Sequence, residues 1–232
     1  MKTILRFFFK LLYHQFAFTY DLVAATVSLG RWKDWVTSIL PYIEGTCVLE
    51  IGFGPGHLQR LLLSQNLILV GIDESLQMAS LANRRLKKKI FELNVQSKTK
   101  SNQSTLHSDY AQINLTRGLA QHLPFENQSF DTIVATFPAE YIFHEETLLE
   151  VRRCLSDGGR FIVLPVAMQI GRGVLDRAMA LLFRVTHQSP VDPLEIVKEK
   201  LTKPFLEAGF EVEIKELRVK SSLLLVILAS PR

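Results

Sequence analysis

The chain has 232 residues, of which 47% are hydrophobic, and its formal net charge is +4. This composition is ordinary for a globular protein, and the length fits one domain with a sizeable core. The basic excess is local, which argues against a long nucleic-acid-binding surface, and Cys47 and Cys154 lack metal-ligand or disulfide spacing. We therefore expect inert core thiols, no bound metal and a cytoplasmic location.

The amino-terminal segment predicts a basic amphipathic helix over residues 1–18. Lys2, Arg6, Lys10 and His14 recur every four residues and share one helix face, while apolar side chains cover the rest. The charges interrupt the apolar run, which is also too short to span a bilayer and does not fit a secretory signal. Two interpretations stay open: a lid over a ligand site, or a peripheral contact with a membrane surface.

The next feature is a predicted strand over residues 46–51 that runs into a glycine-rich turn. Its apolar run is typical of a strand buried on both faces, and Glu50 lies near its carboxyl end. Gly52, Gly54 and Gly56 allow a ligand to lie directly against the main chain, and a helix begins at this turn. The segment predicts a nucleoside-binding loop.

A second apolar strand over residues 67–72 ends in Asp73. A carboxylate at this place is suited to accept hydrogen bonds from both hydroxyls of a ribose. The dinucleotide fingerprint G-x-G-x-x-G asks for a third glycine where this chain has His57, so a nicotinamide-dependent oxidoreductase is the weaker hypothesis.

A basic, low-complexity stretch follows, beginning at Arg84 and Arg85 and rich in lysine and serine to residue 104. We interpret residues 88–109 as a flexible surface insertion between sheet elements. Nucleic-acid binding is the alternative, although the stretch almost lacks the aromatic residues that would stack on bases.

The rest of the chain alternates predicted strands and helices, which indicates an open, largely parallel α/β sheet. We expect the remaining strands near residues 111–116, 130–136, 160–166, 211–219 and 222–229, with a turn at residues 157–159 before the fifth. Ligands bind at the carboxyl edge of such sheets.

Three motifs resemble those of the class I S-adenosylmethionine-dependent methyltransferases. The spacing E-x-G-x-G-x-G over residues 50–56 resembles motif I of that family. The runs GLAQHLPFENQSFDTIVATFP and LLEVRRCLSDGGRFIVLP resemble blocks of its small-molecule branch, which includes the ubiquinone and menaquinone C-methyltransferases. The resemblance covers roughly residues 45–165. It implies a Rossmann-like, mostly parallel seven-stranded sheet with helices on both faces, an antiparallel last strand and a helical cap over residues 1–44, before a catalytic domain over residues 45–232.

The resemblance also implies S-adenosylmethionine as the cofactor. In the family pattern G-D-A-x-x-L-P-F the acid usually contacts the adenine amino group, but this chain has Leu119 there. Base recognition is therefore expected to rest on the backbone near Ala120 and on apolar contact. The implied cofactor-binding residues are Glu50, Gly52, Gly54, Gly56, Asp73, Glu74, Met78, Leu119, Ala120, Phe137 and, in the cap, Tyr20.

The methyl acceptor is expected beyond the fourth strand, where Glu140 and Tyr141 are the candidate bases and Glu140 is preferred. An apolar helix over about residues 168–190 either covers an acceptor pocket or simply covers the core. The segment after the fourth strand lacks the motifs of DNA methyltransferases, which favours a small apolar, lipid-like or quinone-like acceptor. The rival hypothesis is a catalytically degenerate binding module that acts at a membrane surface or a protein partner.

Overall fold

A computed structural model describes residues 30–100, 112–169 and 193–232. These residues form one seven-stranded sheet with helices around it. The strands are β1 (Cys47–Ile51), β2 (Ile68–Asp73), β3 (Gln112–Arg117), β4 (Phe130–Thr136), β5 (Leu155–Gln169), β6 (Phe210–Val219) and β7 (Ser222–Pro231). Each predicted strand is present, and only β5 departs from its predicted bounds by more than two residues.

The strand order is β3-β2-β1-β4-β5-β7-β6. The pairs from β3 to β5 are parallel, whereas β7 runs antiparallel to both β5 and β6. The hairpin between β6 and β7 turns at Lys220, which has a left-handed φ of 56°. This topology confirms the Rossmann-like α/β sheet with an antiparallel last strand that the motifs implied.

Five α-helices and two 3-10 helices are present in the described residues. The α-helices are α1 (Trp32–Thr37), α2 (His57–Leu62), α3 (Leu76–Lys100), α4 (Glu145–Cys154) and α5 (Pro193–Glu207), and the 3-10 helices are Leu40–Tyr42 and Glu140–Phe143. Helix α2 follows the glycine-rich turn directly, as the sequence predicted.

The sheet is buried on both faces, so its central strands are almost continuously apolar. On one face, Trp35 of α1 and Leu58 of α2 pack on apolar side chains of the central strands. On the other, Val151 of α4 and Phe205 of α5 join a second core cluster. The sheet is thus packed against helices on both faces, and a cavity at its carboxyl edge is described below.

Two expectations from the sequence were wrong. Residues 88–100 of the predicted insertion continue α3, because lysine, leucine and glutamate are good helix formers and no proline or glycine interrupts them. The predicted turn at residues 157–159 lies inside β5, where the register against β4 shifts between Phe130 and Thr132. Gly158, with φ of 76°, accommodates that irregularity.

Several predicted features lie outside the described residues. They are the basic helix over residues 1–18, Tyr20, residues 101–109 of the insertion and nearly all of the helix over residues 168–190. Within the described ranges, no helix is both long enough and apolar enough to cross a membrane.

Candidate functional site

A cavity of about 270 Å³ opens at the carboxyl edge of the sheet, where β1, β2, β3 and β4 end. Its lining brings together most of the residues predicted from the sequence: Gly52, Gly54, Asp73, Glu74, Met78, Leu119, Ala120, Phe137 and Tyr141. Glu50, Gly56 and Glu140 are not part of the lining. The site therefore lies at the strand ends, as parallel α/β sheets dictate.

The glycine-rich turn forms the floor of the cavity. Gly52 has φ of 70°, its N–H donates to the Ile72 carbonyl at 2.7 Å, and a Cβ here would collide with the Tyr141 hydroxyl. Gly54 has φ of 51°, and a Cβ built on it would meet no atom within 4 Å. The Gly54 backbone thus borders open space, so a ligand can approach the main chain directly.

Gly56 has a different role from the one that its motif position implied. It caps α2 with φ of 78°, and a Cβ would lie 3.2 Å from the Ala82 Cβ on α3. Gly56 therefore permits close packing of α2 against α3 and does not contact the cavity.

Asp73 links the glycine-rich turn to the end of β2. Its Oδ2 accepts a hydrogen bond from the Gly54 N–H and its Oδ1 accepts one from the Ser75 N–H, each at 2.8 Å. Burial raises the pKa of Asp73, although the Ser75 and Gly54 hydrogen bonds act to lower it. A carboxylate has about four acceptor positions, so two remain for groups in the cavity.

Glu50 is buried behind the turn, with an exposed fraction of 2%. Burial raises the pKa of Glu50 well above its ordinary value; a hydrogen bond with the Gln59 side chain lowers it, and the nearby Asp73 charge raises it. Its Oε2 and the Gln59 Oε1 are both buried without a hydrogen-bond partner. A buried carboxylate oxygen without a donor is costly when charged, which favours the protonated form of Glu50.

Phe137 forms an aromatic wall with Trp32 and Trp35 at the end of β4. Its φ of 48° is left-handed, a conformation that strains a residue with a Cβ and often marks a functional site. Its N–H donates to the Leu164 carbonyl at 2.7 Å, and its ring centroid lies 4.4 Å from that of Trp32 and 5.8 Å from that of Trp35. The packing of this wall holds the strained backbone in place.

The hairpin turn between β6 and β7 anchors α1, the helix that carries Trp32 and Trp35 of this wall. Arg31 donates a hydrogen bond to Ser221, and Lys220 forms an ion pair with Asp34 of α1. The described part of the cap is thus attached to the sheet at two points besides its buried tryptophan.

The acceptor-side candidates occupy different environments. Tyr141 is half-buried and lines the cavity, and its carbonyl accepts a hydrogen bond from the Thr147 hydroxyl at 2.8 Å. Glu140 is exposed on the preceding position of the same 3-10 helix. Of the two predicted bases, Tyr141 is therefore the one that faces the cavity.

The loop after β3 closes the opposite end. Leu119 has an exposed fraction of 45%, Ala120 is buried, and the next residue, Gln121, also lines the cavity. Sequence reasoning missed Gln121, although it lies inside the G-x-A-x-x-L-P-F block. In the described parts of the chain, no cluster of His, Cys, Asp or Glu side chains has the arrangement of a metal site.

Comparisons with known families place this cavity in context. Residues 49–163 match a family described as a methyltransferase domain. That range contains all of the cavity lining, the first two motifs on which the resemblance rested and all but the last two residues of the third.

The relatives with similar sequences include two that are named for methyl transfer in quinone biosynthesis. Demethylmenaquinone methyltransferase of Thermotoga maritima is 28% identical over 159 residues, which cover 66% of this chain and 59% of that protein. The ubiquinone/menaquinone biosynthesis C-methyltransferase of Bartonella quintana is 27% identical over 161 residues, which cover 66% and 55%. The chain thus spans less than two thirds of the length of these relatives.

A solved structure shares the fold. A Thermotoga maritima protein described as an S-adenosylmethionine-dependent methyltransferase, possibly a histamine N-methyltransferase, superposes with a TM-score of 0.56 at 18% identity. The match covers 95% of this chain and 98% of that one. Together with the family match, it confirms the methyltransferase resemblance inferred from the motifs.

Proposed function

Since residues 49–163 belong to the methyltransferase-domain family, we propose that this chain transfers a methyl group from S-adenosylmethionine to a small acceptor. The observation that carries the proposal is the contact between Gly54 and Asp73, which joins a glycine floor to a carboxylate with free acceptor positions. A nucleoside needs both: close approach to the main chain and an acceptor for its hydroxyls.

The residues present fit the cofactor. The two acceptor positions left on Asp73 match the two ribose hydroxyls, and the open space at Gly54 accommodates the amino-acid portion. When bound, the sulfonium supplies an activated methyl group whose departure leaves a neutral thioether. The chain's own task is to align the acceptor with that carbon and to exclude water.

The acceptor approaches, we propose, from the β4 end of the cavity, beside Phe137 and Tyr141. Both side chains line the cavity there, with Pro138 between them in the sequence. The Tyr141 hydroxyl can orient the reacting group and pass on the proton that the acceptor loses, while Glu140 is placed to act only from outside the lining.

An apolar, quinone-like or lipid-like acceptor fits this end of the cavity best. Phe137 and Tyr141 are the aromatic side chains of the lining there, and the two curated relatives described above are named for quinone methylation. Flat aromatic rings pack favourably on such side chains.

The test is calorimetric titration of the chain with S-adenosylmethionine and S-adenosylhomocysteine. We expect micromolar binding to the wild type and about 100-fold weaker binding to Asp73→Asn, which removes the negative charge and replaces one acceptor oxygen by an NH₂ donor. Asp157→Asn is the control, because Asp157 is an exposed aspartate bonded to Gln128 and does not line the cavity.

Failure of the wild type to bind either compound would refute the proposal and favour the degenerate binding module. Saturable binding that depends on Asp73 justifies an acceptor assay. In that assay the transfer of labelled methyl to a demethylmenaquinone-type quinol is compared with transfer to water-soluble phenols.

A further inference from the structure

Trp32 of α1 lies behind the cavity wall, because it contacts Phe137 but does not line the cavity itself. Its ring centroid lies 4.4 Å from that of Phe137 and 6.4 Å from that of His57 at the start of α2. Trp32 is half-buried, whereas Trp35 is buried and packs on Phe137 at a centroid distance of 5.8 Å. The Phe137 ring is thus backed by two rings of one helix.

The backbone of Phe137 depends on such support. Its φ of 48° is left-handed, and this conformation costs a residue with a Cβ a free energy of the same order as an aromatic pair contributes. The Phe137 N–H donates to the Leu164 carbonyl on β5, which holds one side of the residue. The rings of α1 hold the other side. Without them the backbone is free to leave the left-handed region, and the ring then leaves its place in the lining.

Trp32 is itself held in place by the hairpin turn between β6 and β7. Arg31, directly before Trp32, donates a hydrogen bond to Ser221, and Asp34, two residues after Trp32, forms an ion pair with Lys220. These two contacts flank Trp32 in the sequence and fix the rotation of a helix of only six residues. An exposed ion pair contributes little to global stability, so the effect of this attachment is local.

We propose that Trp32 is a positioning residue for the methyl acceptor and that it acts through Phe137. This inference rests on the proposed function, in which a flat apolar acceptor packs beside Phe137 and Tyr141. Trp32 keeps Phe137 in its left-handed conformation and so fixes the ring against which the acceptor packs. Cofactor affinity depends on Gly54 and Asp73, which are bonded to each other at the ends of other strands. Loss of Trp32 therefore weakens acceptor binding selectively.

The experiment measures the binding of 1,4-dihydroxynaphthalene, a flat quinol kept reduced under argon, by calorimetry on the full chain saturated with S-adenosylhomocysteine. Trp32→Leu should weaken quinol binding about tenfold, which is the size of one lost aromatic contact. The affinity for S-adenosylhomocysteine should stay within about twofold of wild type, as for independent sites. Trp32→Phe keeps a ring and should bind the quinol within about threefold of wild type.

A double variant tests whether Trp32 acts through Phe137. In a Phe137→Leu background, Trp32→Leu should weaken quinol binding by less than about twofold more, because the effects of two residues that act through one contact do not add. A purely structural role of Trp32 predicts additive losses instead.

Tyr42→Leu is the matched control. Tyr42 is a half-buried aromatic residue of the same cap and packs on the same core cluster, but the described ring contacts of Phe137 are with Trp32 and Trp35. Tyr42→Leu should therefore leave quinol affinity unchanged, and thermal unfolding compares the stability of the two variants.

Three results would overturn this proposal: equal losses of quinol affinity in Trp32→Leu and Tyr42→Leu, additive losses in the double variant, or a cofactor-loaded wild type that does not bind the quinol. None of them affects the proposed cofactor site. That site fails only if the wild type binds neither cofactor compound or if Asp73→Asn binds as well as the wild type does.

Discussion

Replacing Glu50 by glutamine tests the protonation of the buried carboxyl. Glu50 Oε2 and Gln59 Oε1 are both buried without a partner, and burial raises the Glu50 pKa well above its ordinary value. Glutamine has nearly the same shape, stays neutral at every pH and keeps an oxygen that can accept from the Gln59 side chain. Glu50→Gln is therefore expected to keep the fold and to remove a pH-dependent destabilisation.

The sign and size of the stability difference between wild type and Glu50→Gln follow from proton linkage. An unfolded glutamate titrates near pH 4.5, whereas folded Glu50 keeps its proton to higher pH. The folded state then binds more protons than the unfolded state, so the stability of the wild type falls as pH rises above 4.5, by about 1.4 kcal/mol per pH unit until the folded group ionises. At pH 7 the advantage of Glu50→Gln reaches at most about 3.5 kcal/mol.

Urea unfolding of both proteins between pH 4.5 and 8 measures this difference. Glu211→Gln is the control, because Glu211 is exposed on β6. We expect the two curves to meet near pH 4.5 and to separate as pH rises. A Glu50→Gln protein that is less stable than wild type at every pH would refute the reasoning, since it would mean that folded Glu50 is ionised and satisfied.

Two further predictions concern the cavity itself. Gly54→Ala should weaken S-adenosylhomocysteine binding at least about tenfold, because the new Cβ enters the open space of the cavity. Gly158→Ala is the control: it adds comparable left-handed strain of about 1 kcal/mol away from the cavity and should leave the affinity unchanged. Equal losses of affinity in calorimetry would contradict this prediction. Tyr141→Phe should lower the methyl-transfer rate about tenfold, and Glu140→Gln should lower it less than about twofold, since of these two residues Tyr141 alone lines the cavity. A larger loss of rate in Glu140→Gln than in Tyr141→Phe would contradict this prediction.

The sheet was largely predictable because its strands are short apolar runs that each end in a turn signal. Asp73 and the glycine-rich turn were predictable because each directly follows one of these apolar runs, and because backbone geometry in such a turn favours glycine. β5 began earlier than expected, because the sequence Ser-Asp-Gly-Gly after Leu155 has the composition of a turn although here it is a strand irregularity.

Side-chain pairing across elements was not predictable from one sequence. Nothing in the run around Gln59 indicates that its amide meets Glu50, because that contact depends on how α2 crosses β1. Gln121 was missed for a similar reason: its block was recognised as a pattern, and only the geometry shows which residues of the block line the cavity.

The contacts that form the cavity floor and those that attach α1 to the hairpin turn join residues at very different separations in the sequence. The bond from Gly54 to Asp73 closes a loop of 19 residues, whereas those from Arg31 to Ser221 and from Lys220 to Asp34 join residues 190 and 186 positions apart. Long loops close at greater entropic cost, so the side of the cavity formed by Gly54 and Asp73 depends on contacts close in sequence, whereas α1 is attached by contacts that span nearly the whole described chain. Under the proposed function, cofactor and acceptor would meet between a part of the protein held by contacts close in sequence and a part held by contacts distant in sequence.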